Sequence, residues 1–396
     1  MTRLRSLAAT AAGSVIVALG LSTAAAAQDY QWPRLLVIGT PGTSTGSFAS
    51  TNGWGPILQK ETGTTVRIVP EDNELQRYRR LTERKDIAIA STAAAMMRFQ
   101  IEGIGGYAAT RPAPLRILWH HNDTPWGYVV AGDSPIHSME DLRKGGVRVA
   151  DGVFATTMST AVEKALPAYL GIDPDKAGET FTYVPAASYG ANCRAVVEGK
   201  ADIAHCAPIS SIMSELEGAP GGIRWIPMPA SETEAWARYL EHRPMLVPTR
   251  IDLGVKSAQG VEGITSNYLY SVPASADADF VYNMAKWMHQ SFDHYKGTHA
   301  LAARMSAEQF RAYLDRSPLP VHEGTVRYLR EIGMWTDADD AWNAAAIAKV
   351  DAWVAARQAA LDEARDRGVK PDAESQEFLD IFNAHTAGLD GFRSRL

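Results

Sequence analysis

The sequence contains only two cysteines, Cys193 and Cys206, among its 396 residues. It also has no excess of positive charge, because 39 lysines and arginines stand against 45 aspartates and glutamates, a formal net charge of −6. A surface that holds the phosphates of nucleic acid needs clustered positive charge, so we expect no nucleic-acid partner. After the N-terminal segment, no stretch is both long enough and free enough of charge to cross a bilayer, so we expect no membrane insertion.

Signatures of catalysis and metal binding are scarce as well. The glycine-rich loop Gly39–Phe48 lacks the Gly-Lys-Ser/Thr ending of a Walker loop and the spacing of a dinucleotide fingerprint. His120, His121 and Asp123 form the best metal-like cluster, but adjacent histidines on an extended segment point to opposite faces. We therefore predict no catalytic residue, no metal site and no cofactor.

The N-terminal residues 1–27 are typical of an export signal. Arg3 and Arg5 precede an apolar run from Leu7 to about Leu21, and a string of alanines ends at Ala27. This order of charged, apolar and small residues predicts a signal peptide cleaved near Ala27, with an uncleaved anchor as the alternative. Neither cysteine lies near that point, so we expect no lipid anchor.

From Leu35 onward, short β-branched runs alternate with amphipathic stretches, which is typical of βαβ units and a mostly parallel sheet. One such series precedes the polar segment His120–Pro125, which predicts a turn, and a second series follows it. The apolar run Tyr268–Val272 predicts a return crossing into the first series. We therefore predict an α/β fold with two hinge-linked lobes and a cleft. The predicted parts are a first lobe at 28–125 and 251–333, a second lobe at 126–250, and a helical C-terminal extension at 334–396.

Candidate ligand-binding residues lie where predicted strands end, because ligands of open α/β sheets bind beyond the carboxyl ends of the strands. Three loops qualify: Gly39–Phe48, Asp151–Thr160 and His205–Pro208. Their glycines, hydroxyls and free backbone N–H groups suit a small anion, although Thr156 and Thr157 are equally explained as helix caps. Trp126 is a further candidate to line the cleft, or a packing residue of the hinge. The predicted ligand-binding set is Thr40, Gly42, Thr43, Ser44, Thr45, Phe48, Asn73, Ser91, Phe154, Thr156, Thr157, His205, Ala207 and Pro208.

The two cysteines fall at the same side of one predicted βαβ unit. Cys193 lies near the start of a predicted helix, and Cys206 ends the strand that follows. A disulfide beside the third loop is geometrically allowed, and two buried free thiols are the alternative.

Several segments resemble the TAXI family of solute receptors, which serve tripartite ATP-independent periplasmic (TRAP) transporters. The first loop, IGTPGTSTGSF, is similar in part to the glycine- and threonine-rich loop of that family. The remaining similar segments are ERKDIAIAST at Glu83–Thr92, SPIHSMEDLRKGGVRVADG at Ser134–Gly152, EGKADIAHCAP at Glu198–Pro208 and LPVHEGTVRYLREIG at Leu319–Gly333.

The resemblance implies a type II periplasmic-binding-protein-like fold, a hinged clamshell in the periplasm. It also implies capture of a small organic anion, a carboxylate or an amino acid, and delivery of that anion to TRAP membrane subunits. We expect the protein to be a monomer. Two departures change the pocket: Phe48 stands where the family has tyrosines, and Phe154–Thr157 replaces its small GSGT turn. The alternatives are an ABC-type receptor, or an exported enzyme or sensor domain on the same fold.

Overall fold

Ten strands alternate with helices in the computed structural model, which describes residues 30–395. The predicted export signal, residues 1–27, lies outside the described residues. The apolar runs from Leu35–Ile38 to Tyr268–Val272 predict ten strands, and each run overlaps an observed strand. The runs Leu115–Trp119 and Trp126–Ala131, predicted as two strands, form the single strand β4, and β9 was not predicted. The strands are β1 Leu35–Thr40, β2 Thr65–Pro70, β3 Ile89–Ala93, β4 Leu115–Ala131, β5 Val147–Asp151, β6 Phe181–Pro185, β7 Ala204–Cys206, β8 Ile223–Ile226, β9 Val247–Arg250 and β10 Glu262–Pro273.

Helices follow most of the strands, which confirms the predicted α/β class. Between α5 and α6, residues 160–165 form a wider π-helical section, so the helical stretch from Thr156 to Tyr169 is built from three parts. No described helix has the length and apolar character that a membrane span requires. The helices are α1 Gly46–Thr62, α2 Glu74–Thr82, α3 Ala94–Glu102, α4 Met139–Leu142, α5 Thr156–Ser159, α6 Leu166–Tyr169, α7 Tyr189–Arg194, α8 Ser211–Glu217, α9 Thr233–His242, α10 Ala278–Gln290, α11 Phe292–Tyr295, α12 Ala307–Leu314, α13 Glu323–Glu331, α14 Asp337–Asp366 and α15 Gln376–Thr386.

Parallel strand pairs occur at one edge of an eight-stranded sheet and in a separate two-stranded sheet. β1 pairs in parallel with β2 and β3, and β5 pairs in parallel with β6. The long strands β4 and β10 add antiparallel pairs at the centre that the alternation of strands and helices did not predict: β10 with β3, β4 and β9, and β4 with β7 and β8.

The predicted turn at His120–Pro125 is wrong, because these residues lie in the middle of the continuous strand β4. Several of their polar atoms have partners inside the protein, whereas Nε2 of His121 and Nδ2 of Asn122 have none among the described residues. Nε2 of His120 lies 3.2 Å from Oδ1 of Asp123, and Nδ1 of His121 lies 3.0 Å from the hydroxyl of Ser91. The polar pattern therefore marks a buried polar section of a strand, since polar groups can be buried once they are hydrogen-bonded.

Two large hydrophobic cores lie on either side of this polar section. One is built mainly from residues 126–264 and the other mainly from residues 36–119 and 269–353. β4 and β10 contribute side chains to both cores. This arrangement places the ends of β1, β2, β5 and β7 near the gap between the cores, where the cavity described below lies.

The two helices predicted for the C-terminal extension are α14 and α15. The hydroxyl of Thr336 accepts the N–H of Asp339, and the Asp339 carboxylate accepts the N–H of Thr336, so a capping box begins α14. Val350 and Trp353 join the core built from residues 36–119 and 269–353. Further along, Ala360 and Ala364 pack in a smaller cluster with side chains of α15. The extension thus packs back onto the protein.

Candidate functional site

A cavity lies between the two hydrophobic cores; the space between its wall atoms is about 670 Å³ and includes open solvent. Its wall combines α1 and the start of α2 with the loop before α5, the start of α7 and the end of β7. It holds both acidic and basic side chains. The ionisable residues on its wall, counting the tyrosines, are Asp72, Glu74, Arg77, Tyr189, Arg243 and Tyr268.

A short acidic loop follows β2 and is hydrogen-bonded to the glycine-rich loop and to the start of α7. Oδ1 of Asp72 accepts the backbone N–H of Gly42 at 2.8 Å, and its Oδ2 accepts the backbone N–H of Tyr189 at 3.2 Å. The first contact holds the glycine-rich loop, and the second reaches the first residue of α7. A carboxylate of the protein itself therefore satisfies backbone N–H groups that we expected to face a ligand.

Glu74, the first residue of α2, is 2% exposed and contacts the start of α5. The hydroxyl of Thr157 donates to Oε1 of Glu74, and the Thr157 backbone N–H lies 3.5 Å from Oε2. The hydroxyl of Tyr107 lies 3.5 Å from the same Oε2. Burial raises the pKa of Glu74 above its usual value, and the hydrogen bond from Thr157 opposes that rise only in part.

Arg243 and Trp126 place unpaired hydrogen-bond donors on the cavity wall. Arg243 follows α9 and is 7% exposed, and its Nη1 has no hydrogen-bond partner among residues 30–395. The indole Nε1 of Trp126 is likewise buried and lacks an acceptor within the described part of the chain. Buried donors are nearly always paired, so these two mark the position where an acceptor oxygen is best received.

Arg77 is less free to meet a ligand than Arg243. Its Nη1 donates to the backbone carbonyl of Glu71, and its Nη2 lies 3.1 Å from the sulfur of Met96. These contacts hold the guanidinium against α3 and the acidic loop. Arg243 is therefore the cation of this wall with the greater capacity to receive an anion.

His205 lies behind the wall and supports it. Its ring stacks on Trp126 with 4.8 Å between centroids and 14° between planes. Burial holds the pKa of His205 well below its usual value, so the ring is neutral near pH 7 and adds no positive charge. Among the described residues, no group of three or more His, Cys, Asp or Glu side chains is placed to hold a metal ion.

The disulfide alternative for the two cysteines is the one that the structure contains. Cys193 of α7 and Cys206 of β7 are bonded, with their Cα atoms 6.1 Å apart. The bond ties α7, whose first N–H binds Asp72, to the strand that leads to Ala207 of the cavity wall.

The structure brings some of the predicted ligand-binding residues together and leaves others apart. Thr45, Phe154, Thr157 and Ala207 line the cavity. The predicted residues that do not line it are Thr40, Gly42, Thr43, Ser44, Phe48, Asn73, Ser91, Thr156, His205 and Pro208.

Asn73, one of the predicted residues that do not line the cavity, has a structural contact instead. The side chain of Asn73 accepts the N–H of Gln76 at 2.9 Å and so caps α2. Thr156 and Thr157 do not cap α5, whose N-cap position is Ala155 and which has no side-chain cap. A ligand contact of the residues that do line the cavity stays a prediction.

Ser44 stands in a Gly-Thr-Ser-Thr-Gly run, Gly42–Gly46, which has the spacing of a nucleophile elbow, a motif that the sequence argument wrongly took to be absent. The run lies between β1 and α1, as in such elbows. The backbone carbonyl of Ser44 accepts the hydroxyl of Ser211 at 3.2 Å. Among the described residues, no histidine or carboxylate is hydrogen-bonded to the Ser44 hydroxyl.

Asp72, Glu74 and Arg243 were missed as site residues. The rule that selected the other loops applies equally to the end of β2, where Glu71, Asp72, Asn73 and Glu74 follow one another, yet only Asn73 was chosen. For Arg243 the sequence carries no comparable signal, because it follows a helix and precedes a proline.

Solved structures similar to this chain include periplasmic binding proteins and a sensor domain. One is the substrate-binding protein of an amino acid ABC transporter, with 13% identity, coverage of 68% of this chain and 98% of that chain, and a TM-score of 0.41. Another is the periplasmic binding protein BugD, with 11% identity, coverage of 85% of this chain and 99% of that chain, and a TM-score of 0.46. A histidine kinase sensor domain with similarity to periplasmic binding proteins is also similar, with 14% identity, coverage of 69% of this chain and 96% of that chain, and a TM-score of 0.41. No curated protein matches the chain significantly. Residues 38–333, well over half of the sequence, match the NMT1-like family, and the chain belongs to that family.

Proposed function

We propose that this protein is a solute-binding receptor that captures a small organic anion in the cavity between its two cores. The observation that carries the proposal is the buried guanidinium of Arg243, which lines the cavity with an unpaired Nη1. A guanidinium presents two parallel N–H donors that match the two oxygens of a carboxylate. The unpaired N–H of Trp126 on the same wall supplies a further donor.

The anionic group binds at Arg243 rather than at the starts of α5 and α7. Backbone N–H groups at those two places are already taken by carboxylates of the protein, Glu74 at Thr157 and Asp72 at Tyr189. A second anionic group placed there would meet like charge. The favoured ligand is therefore a carboxylate or an amino acid whose remaining part offers hydrogen-bond donors or apolar surface to the Glu74 side.

The receptor works in the periplasm after export, catalyses no reaction, and delivers its ligand to a TRAP-type membrane transporter. Support for the transporter class comes from the TAXI-like segments, which lie between Ile38 and Gly333, the same residues that match the NMT1-like family. The ligand stabilises the closed arrangement of the two predicted lobes, and the membrane subunits recognise that closed form.

A thermal-shift screen of carboxylates and amino acids, starting with acetate and glutamate, tests the binding step. A ligand that prefers the folded state raises the melting temperature. We expect the best compound also to shift the indole N–H resonance of Trp126 in NMR spectra. Arg243→Met should weaken its binding at least about tenfold, which corresponds to about 1.4 kcal/mol.

The matched control is Arg250→Met, since Arg250 is an exposed arginine of β9. Its affinity should equal that of the wild type. Equal affinity of the Arg243→Met variant would remove Arg243 from the site and with it the proposed ligand class. Ligand uptake into proteoliposomes that contain TRAP membrane subunits tests the delivery step separately.

A further inference from the structure

The C-terminal helix α14 reaches the back of the cavity wall through one buried arginine, Arg357. This residue lies outside residues 38–333, the part that matches the NMT1-like family. Its side chain is fully buried, and its two terminal nitrogens bind separate segments. Nη1 donates to the carbonyls of Gln100 at 2.5 Å and Ile101 at 3.1 Å, and Nη2 donates to those of Tyr107 at 2.5 Å and Thr110 at 3.2 Å.

No described carboxylate forms an ion pair with Arg357, so its charge is balanced by carbonyl dipoles. The carbonyls of Gln100 and Ile101 belong to the last turn of α3, where helix carbonyls have no partner within the helix and favour a cation. Burying an arginine in this way costs free energy of desolvation, which an apolar side chain of similar size would not incur. The contribution of Arg357 is therefore to hold these two segments in place.

Both segments lead to the cavity. The last turn of α3 is bound by Arg357, and the first turn of α3 lies at the cavity wall, where Ala95 and Met96 line the cavity. The turn held through Tyr107 carries the phenol whose hydroxyl lies 3.5 Å from Oε2 of Glu74. The same turn contains Gly105, where a methyl group would lie 2.7 Å from Cγ2 of Thr156, the residue that begins α5.

We propose that Arg357 is a positioning residue of the cavity: by holding the turn that carries Tyr107, it keeps Glu74 in contact with Thr157 across the gap between the cores. The C-terminal extension is thus part of the binding machinery, although none of its described residues lines the cavity. This inference deepens the proposed receptor function, but its test uses the protein without any ligand, so its failure and that of the receptor proposal are separable.

Hydrogen exchange of two backbone amides distinguishes positioning from general stability. The Thr157 amide contacts Glu74, and the Tyr189 amide binds Asp72 of the same acidic loop. In the full-length Arg357→Met variant we expect the Thr157 amide to exchange at least about tenfold faster than in the wild type, because the Glu74 contact opens locally. The Tyr189 amide should exchange at the wild-type rate, since the Asp72 carboxylate is hydrogen-bonded to Gly42 and Tyr189, neither of which lies on the turn that Arg357 holds.

Val350→Ala is the matched control, because Val350 is a fully buried apolar residue of the same helix. It should lower the free energy of unfolding and leave both amides unchanged. If Arg357→Met fails to fold, Arg357→Lys replaces it, since one ammonium group cannot span both sets of carbonyls. The proposal is overturned if the Thr157 amide keeps its wild-type rate, if both amides accelerate together, or if Val350→Ala has the same effect.

Discussion

The carboxylate of Asp72 accepts the backbone N–H of Tyr189 at 3.2 Å, which joins the loop after β2 to the start of α7. Its other oxygen accepts the N–H of Gly42 at 2.8 Å. One acidic side chain thus connects the glycine-rich loop, the acidic loop and the opposite wall of the cavity. Together with Glu74 on Thr157, it holds the two walls in contact through the protein's own carboxylates.

Replacing Asp72 should loosen this connection. Asp72→Asn keeps the shape of the side chain but loses the charge that strengthens both hydrogen bonds, so we expect the free energy of unfolding to fall by about 2 kcal/mol. Urea unfolding measures that change, and small-angle scattering should show a larger radius of gyration without ligand. Asp86→Asn, at a partly exposed pair with Arg80, should cost less than about 1 kcal/mol. Equal costs for the two variants would contradict the role given to Asp72.

Glu74 should make stability depend on pH with a defined sign. Burial raises its pKa above 4.5, so the folded protein binds this proton more tightly than the unfolded chain does. Between pH 4.5 and the folded-state pKa, the contribution of Glu74 to the free energy of unfolding therefore decreases as pH rises. Glu74→Gln removes that decrease.

We expect the Glu74→Gln variant to gain stability relative to the wild type as pH rises from about 5 to about 8 in urea unfolding. Taking the difference between the two proteins cancels the contributions of His121 and His205, whose pKa values are lowered by burial. Thr156→Val, which removes no titratable group, is the control and should give a difference that varies much less with pH. A constant difference for Glu74→Gln would refute the prediction.

The hydroxyl of Thr157 should matter more than that of its neighbour Thr156. Thr157→Val preserves volume but leaves Oε1 of the buried Glu74 without its donor, so we expect a loss of about 1–3 kcal/mol. Thr156→Val keeps the methyl group that faces Gly105 and should change stability by less than about 0.5 kcal/mol. Urea unfolding of both variants at one pH decides the matter, and the reverse order would show that the Glu74 contact is not stabilising.

Loss of the bond between Cys193 and Cys206 should lower stability and free α7. A bridge that closes a loop of about this size contributes about 3 kcal/mol, and the double alanine variant should lose about that amount. Because α7 begins at Tyr189, the amide of that residue should also exchange faster. Wild-type protein treated with reductant provides the comparison, and undiminished stability in both samples would count against the bridge.

Local periodicity predicted most of the strands and helices correctly, because the alternation of β-branched runs and amphipathic stretches depends on near neighbours in the chain. The same reasoning failed at His120–Pro125, where polarity predicted a turn. Whether a polar residue in a strand is buried depends on partners such as Ser91, which is distant in sequence. Similarly, the glycine-rich loop was identified from its composition, yet only Thr45 among its predicted residues lines the cavity.

By itself, the sequence determined the α/β class, the succession of elements and the two cysteines placed for a bridge, since each of these depends on residue type and short-range spacing. Only the tertiary structure decided the chemistry of the cavity. Arg243, Glu74 and Trp126 are separated by long stretches of chain, and they meet because β4 and β10 connect both cores. Burial then set their properties: it raised the pKa of Glu74 and left donors of Arg243 and Trp126 unpaired, and neither effect exists in an isolated segment.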